Sequence, residues 1–226
     1  PLVGDRQWRI NIFALAPPLF GEWGPHVGYG TLPAVLIAVG VIAYGPALSA
    51  RLRWRPLVLV SMAVCTAWTF ALALIDGWDR GFAGRLVRPD EYLAEVPGVS
   101  SMTGMLDEFS SRILDYQPDS WTTHVSGHPP GSLLTFVLLD RIGLGGGAWA
   151  AVLVVLVGCS AAGALLVTTA RLGGELAARR IAPFVALTPG AVWMGVSADG
   201  YYMGVAAWGI ALLAIAATTT GARAVA

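Results

Sequence analysis

Five stretches of this chain are long and apolar enough to cross a lipid bilayer: residues 23–50, 56–75, 142–170, 181–198 and 200–222. None contains Asp, Glu, Lys or Arg. A spanning helix needs about 20 mostly apolar residues. Its backbone must satisfy its own hydrogen bonds, because hydrocarbon offers none. The expected fold is therefore all-α, a polytopic transmembrane helix bundle of about five spans. Helical cores are predicted at 31–50, 56–75, 148–170, 181–196 and 201–220. Residues 10–20 are also apolar, but Pro17 and Pro18 mark them as an interfacial piece or the end of another span.

Composition agrees with this class. The chain is 56% hydrophobic and 12% charged, with a mean hydropathy of +0.66. Net charge is zero, so nothing electrostatic favours nucleic acid as a partner; membrane lipids are the expected surroundings. All 14 basic residues are arginine, which with the abundant Ala and Gly points to a GC-rich bacterial genome and a plasma-membrane protein. Cys65 and Cys159 lie inside apolar runs and read as packing residues. The chain begins at Pro1 and stops at Ala226 just after an apolar run, as expected of a piece whose C-terminal remainder is missing.

Arginines orient the spans. Arg51, Arg53 and Arg55 occupy one short loop, Arg171, Arg179 and Arg180 the next, and Arg223 follows the last span; Glu175 is the one acid among them. By the positive-inside rule these loops are cytoplasmic. The organisation is then an N-terminal interfacial segment (1–30), two spans (31–75), a long extracytoplasmic loop (76–147) and three further spans (148–226). The loop carries ten acids against five arginines. Trp23, Trp54, Trp78, Trp149 and Trp193 fall near predicted span ends, where an indole suits the headgroup level. The apolar run at 132–139 is too short to cross, so 131–144 is expected to be a helix lying on or dipping into the outer leaflet.

That topology brings Asp76, Asp90, Glu91, His124, His128 and Asp199 to one face. Asp76 ends a span in LALIDG, either marking the interface or acting as a partly desolvated general base. Asp79 shares that site or is solvated. Asp90 and Glu91 open RPDEYLAEV, whose pattern predicts an amphipathic surface helix with Tyr92, Leu93 and Val96 toward lipid. Asp107, Glu108, Asp115 and Asp119 read as loop solvation.

His124 and His128 stand in WTTHVSGHPPGSLLTF. Gly127, Pro129 and Pro130 oppose a helix through the second histidine. Val125 occupies the place where a zinc-protease motif needs glutamate, so no metal site is assigned and any divalent-metal requirement stays open. A stiff Pro-Pro-Gly turn instead presents His128 and bare backbone to a phosphate at the headgroup level. Asp199, in the SADG turn at 197–200, is an acid at the hydrocarbon edge: a functional group or a helix cap. Arg80, Arg85 and Arg88 offer guanidinium forks to phosphate, or balance neighbouring acids.

A first outward loop opening with acids, a His-Pro-Pro turn before an interfacial helix, and Ser-x-Asp in the next outward turn together resemble the GT-C superfamily. The similarity is to its branch of aminoarabinose transferases and protein O-mannosyltransferases, with actinobacterial relatives, and covers about residues 56–220, the N-terminal half of such an enzyme. The resemblance implies transfer of a sugar from a polyprenyl-phosphate donor to an extracytoplasmic acceptor, with inversion and one first-loop carboxylate as base. That role falls on Asp76 by its place at a span end, or on Asp90–Glu91 by the dipeptide. His128, Pro129 and Pro130 map to the donor-side turn, with His124 beside it, and Asp199 maps near the sugar or phosphate. Two positions depart: Gly131 follows the prolines in place of a bulky apolar residue, and Tyr92 follows the acid pair directly. A transporter or flippase component is the rival reading. It predicts charges inside spans or a repeated half-motif, and the sequence has neither.

Overall fold

The computed structural model describes residues 24–114 and 117–224. The expectations for residues 1–23, including Trp23, and for Asp115 lie outside the described residues. Within them the chain is all-helical, without strands. Four helices are long and apolar enough to cross a membrane: α1 (Thr31–Arg51), α2 (Trp54–Ala73), α6 (Gly147–Gly173) and α9 (Ala198–Ala224). Shorter helices lie between them: α3 (Met102–Glu108), α4 (Thr123–Ser126), α5 (Gly131–Arg141), α7 (Glu175–Ala186) and α8 (Ala191–Met194).

α1 and α2 form a hairpin turning at Leu52 and Arg53, both extended. The C-terminal carbonyls of α1 are left without helical partners. Arg179 of α7 meets this need, its Nη1 donating to the Ser49 carbonyl at 2.6 Å and the Leu52 carbonyl at 2.9 Å. Gly28 and Gly30 lie directly against the Ile75 and Ala71 carbonyls, closing the other end of the hairpin where a side chain would not fit.

α6 is the hub, packing against α2, α7 and α9. It runs parallel to α9: Gly158 meets Gly200, Val157 meets Gly204, and Trp208 Nε1 donates to Ser160 Oγ at 2.9 Å. A Cβ on Gly204 would collide with the Val157 carbonyl. Small residues at such a seam let backbones approach, which is how membrane helices associate without a hydrophobic drive between them.

The single helix expected at 181–196 is corrected. α7 ends at Ala186, α8 starts at Ala191, and Leu187 between them leaves helical geometry at φ −108°, ψ 38°. Pro189 has no N–H to give a helix and disfavours helical backbone at Thr188 before it. At the break the Thr188 carbonyl accepts from the Ala191 N–H and from Trp68 Nε1 of α2, each at 3.2 Å. The broken segment still follows α2 along its length, from Arg179 beside Leu52 to Gly195 beside Thr69.

The segment from 74 to 146 folds into a packed cap with a core of its own. Phe82, Leu86, Tyr92, Val125, Leu133 and Phe136 are all fully buried and continue into Val154 and Val155 of α6. Burying each such side chain from water contributes roughly 1.5–3 kcal/mol. The amphipathic helix expected after Glu91, with Tyr92, Leu93 and Val96 facing lipid, is therefore also corrected. The chain makes two 3-10 turns, Tyr92–Ala94 and Val96–Gly98, with Tyr92 and Val96 turned inward and Leu93 partly buried against the same core. Pro97 and Gly98 stop any longer helix. α5 is 11 residues long, about 16 Å at 1.5 Å per residue, too short to span a bilayer. Arg112 pins the far side of the cap. Its guanidinium lies 3.4 Å over the Trp121 ring, its Nε donates to the Asp119 carbonyl at 2.7 Å, and Glu95 sits 3.8 Å away.

Candidate active site

His128 follows α4, and Pro129 and Pro130 lead straight into α5, a use of proline suited to a helix start. The turn holds the imidazole against three elements. Its Nδ1 lies 2.9 Å from the His124 carbonyl and 2.8 Å from Tyr92 Oη. A carbonyl only accepts, so Nδ1 carries the proton in the neutral ring and Nε2 bears the lone pair. Tyr92 Oη then donates to Tyr202 Oη at 3.2 Å, and Tyr202 donates to Ser132 Oγ. Ser132 Oγ in turn faces the Pro129 carbonyl at 3.4 Å. This one-way chain returns to the turn it starts from. Tyr202 also stacks on the imidazole, with ring centroids 4.8 Å apart at 22°. Burial pushes the Tyr92 hydroxyl up, so it serves as a neutral hydrogen-bonding group.

Asp199, in the first turn of α9, places Oδ1 3.9 Å from His128 Nε2. Its neighbour Ser197 supplies the cap, accepting from the Gly200 N–H at 3.3 Å. Tyr201 reaches α5 through Thr135 Oγ1 at 3.0 Å.

His124 ties the acid pair to this turn. Its Nδ1 lies 2.7 Å from the Asp90 carbonyl, 3.8 Å from Asp90 Oδ2 and 4.0 Å from Glu91 Oε1. Asp90 also faces Arg88 Nε at 3.5 Å. The Glu91 side chain is only 16% exposed. Burial raises its pKa above the ordinary value of 4.5 and Asp90 adds to the rise, while His124, Arg85 and Arg88 oppose it. A mostly buried carboxylate with a raised pKa beside an imidazole is suited to taking a proton from a hydroxyl.

Asp76 is placed differently. It pairs with His26 Nε2 at 2.9 Å and, more loosely, with Arg80 Nε at 3.9 Å; the carboxylate is 42% exposed. None of Asp90, Glu91, His124, His128 or Asp199 is among its partners. Asp79, Asp107, Glu108 and Asp119 are exposed. The acid pair, both loop histidines, the Pro-Pro turn, Arg88 and Asp199 thus come together, and Asp76 with Arg80 forms a second, outlying pair.

Reading by residue type missed Tyr92, Tyr202, Ser132, Thr135 and His26. The YY dipeptide after SADG was the available signal: it puts two aromatic hydroxyls in adjacent positions near the start of α9. Among the described residues no group of three or more His, Cys, Asp or Glu side chains is placed to hold a metal ion. Cys65 and Cys159 are free and buried in the bundle. Comparison with protein-family models, with curated proteins and with solved structures returned no match to this chain.

Proposed function

We propose that the chain is the catalytic end of a membrane glycosyltransferase that moves a sugar from a polyprenyl-phosphate donor to an extracytoplasmic hydroxyl. The observation that carries this reading is the convergence of Asp90–Glu91, His124–His128 and Asp199 at one end of the bundle. The cap supplies the acid pair and both histidines, and α9, beyond α6 and the α7–α8 segment, supplies Asp199. The arginine-rich turns occupy the other end. In this reading that end is cytoplasmic, the cap is extracytoplasmic, and the broken α7–α8 segment makes a fifth crossing of a bacterial plasma membrane.

Glu91 is the base in this scheme. As the acceptor oxygen bonds to the anomeric carbon from the face opposite the phosphate, its proton passes to the Glu91 carboxylate. The carbon–oxygen bond to the phosphate breaks with inversion, and polyprenyl phosphate leaves with the electron pair. The leaving group needs charge neutralisation rather than a proton, which Arg88 and protonated His128 supply. Neutral His128 offers only a lone pair at Nε2, so the anion is held by the imidazolium, whose Nε2–H donates. Asp90 holds His124, and the tyrosine chain fixes the angle of His128.

The test uses membranes containing the protein, supplied with polyprenyl-phosphate sugars and assayed for release of polyprenyl phosphate. Turnover that disappears in Glu91→Gln and survives in Asp76→Asn is the expected result. Turnover retained in Glu91→Gln removes Glu91 from the role, and no turnover with any such donor sinks the reading.

A further inference from the structure

At the arginine-rich end, α1 and α7 form an open apolar groove of about 800 Å³ lined by Val41, Ile42, Leu176, Phe184 and Leu187 among others. Its polar lining is Ser49, Arg179 and Arg180. Two features of the helices shape it. Pro46 interrupts the hydrogen bonding of α1, and Gly45 lets α1 press against Pro183 of α7. A second apolar cavity of about 520 Å³, between α1 and α2, shares Val41, Ser49 and Pro183 and reaches Arg51.

The two arginines of the first cavity are in different situations. Arg179 is fully engaged: it donates to the Ser49 and Leu52 carbonyls and pairs with Glu175 at 2.6 Å. The Arg180 side chain is exposed and makes no hydrogen bond or ion pair among the described residues. Arg51, Arg53, Arg55 and Arg171 share that condition around the same end, and the nearby acid, Glu175, is already taken.

We infer that this groove binds an anionic phospholipid, with an acyl chain against α1 and α7 and the headgroup phosphate on Arg180. The apolar walls offer nothing to a free phosphate or a sugar, so the ligand is an amphiphile. The guanidinium has all its donors unmet and matches phosphate oxygens. The surrounding excess of arginine disfavours a zwitterionic head that brings its own cation. Basic pockets between helices at the cytoplasmic surface are suited to anionic headgroups. The site lies at the opposite end from the carboxylates and histidines, and it stands whether or not the chain transfers sugars.

The experiment is native mass spectrometry of the full protein after equilibration with equal amounts of phosphatidylglycerol and phosphatidylcholine. A basic residue at a membrane surface is worth about a fivefold preference for an anionic lipid. Phosphatidylglycerol adducts should therefore exceed phosphatidylcholine adducts by about that factor. The preference should vanish in Arg180→Gln, persist largely in Arg180→Lys, and stay unchanged in Arg171→Gln, at the same end but outside both cavities. Equal adducts in the unsubstituted protein overturn the proposal. So does an equal loss in Arg171→Gln, which would make the preference a diffuse charge effect. Displacement of the lipid by soluble glycerol phosphate, or a dimer in place of the lipid adduct, would identify a different occupant and likewise overturn it.

Discussion

Asp76 and Glu91 are both carboxylates of the cap, and each faces a histidine. Asp76 is half-exposed and closes a direct 2.9 Å pair with His26, with Arg80 beyond it. Glu91 is mostly buried, and His124 stops 4.0 Å short of it because its Nδ1 is committed to the Asp90 carbonyl. Asp76 is held by its neighbours at the surface, whereas desolvation raises the Glu91 pKa. A carboxylate held in a dry setting without a full partner is a good proton acceptor.

The largest expected effect follows from that difference. Glu91→Gln should lower transfer by on the order of 10²–10⁴-fold, the usual contribution of a positioned general base. Asp76→Asn should cost less than about tenfold, since its role is to hold His26 and Arg80 rather than the reacting hydroxyl. Initial rates of polyprenyl phosphate release compare the two, and a reversed order would move the base to Asp76.

The pH dependence sharpens the contrast. Because burial raises the Glu91 pKa, the base form accumulates only above 4.5, and the rate should climb with pH through a midpoint above that value. His124 is the largest opposing influence, so His124→Asn should move the midpoint further up. Stability runs the other way. A carboxyl whose folded pKa exceeds its unfolded one contributes stability that is complete below 4.5 and lost as pH rises through the folded value. Glu91→Gln should therefore melt higher than the unsubstituted protein at neutral pH while being inactive. A lower melting temperature would show that the ionised carboxylate is structurally needed.

Tyr202→Phe breaks the chain between Tyr92 and Ser132. Removing one partner of a part-buried hydrogen bond costs about 1–3 kcal/mol, and it should lower turnover while leaving the Glu91 midpoint in place. The smallest change is expected from His26→Gln. Exposed ion pairs are worth about 0–1 kcal/mol, so melting temperature and pH profile should both stay close to those of the unsubstituted protein.

The two carboxylates also show where sequence reading reaches its limit. Four long helices were legible, because an unbroken apolar run without charges has one stable outcome in a bilayer. The break between α7 and α8 was visible as Pro189, yet hydropathy alone smooths over it. For the cap, residue type picked out candidate polar side chains, and the spacing of Pro129 and Pro130 matched the turn found there. It did not show burial. Tyr92 reads as an aromatic residue for a lipid surface, and it lies at the centre of the cap because α5 and Tyr202 cover it. That cover comes from segments far away in sequence. Local pattern carries no record of it.

The most direct measurement is labelling with a membrane-impermeant thiol reagent in intact cells, with Cys65 and Cys159 replaced by alanine. Single substitutions Asp90→Cys, Asp199→Cys and Glu175→Cys report the three relevant positions. The account predicts labelling at 90 and 199 and protection at 175, which places the acid pair and the α9 acid on one outer face. Labelling of 90 with protection of 199 would put them on opposite sides of the membrane and dissolve the proposed site.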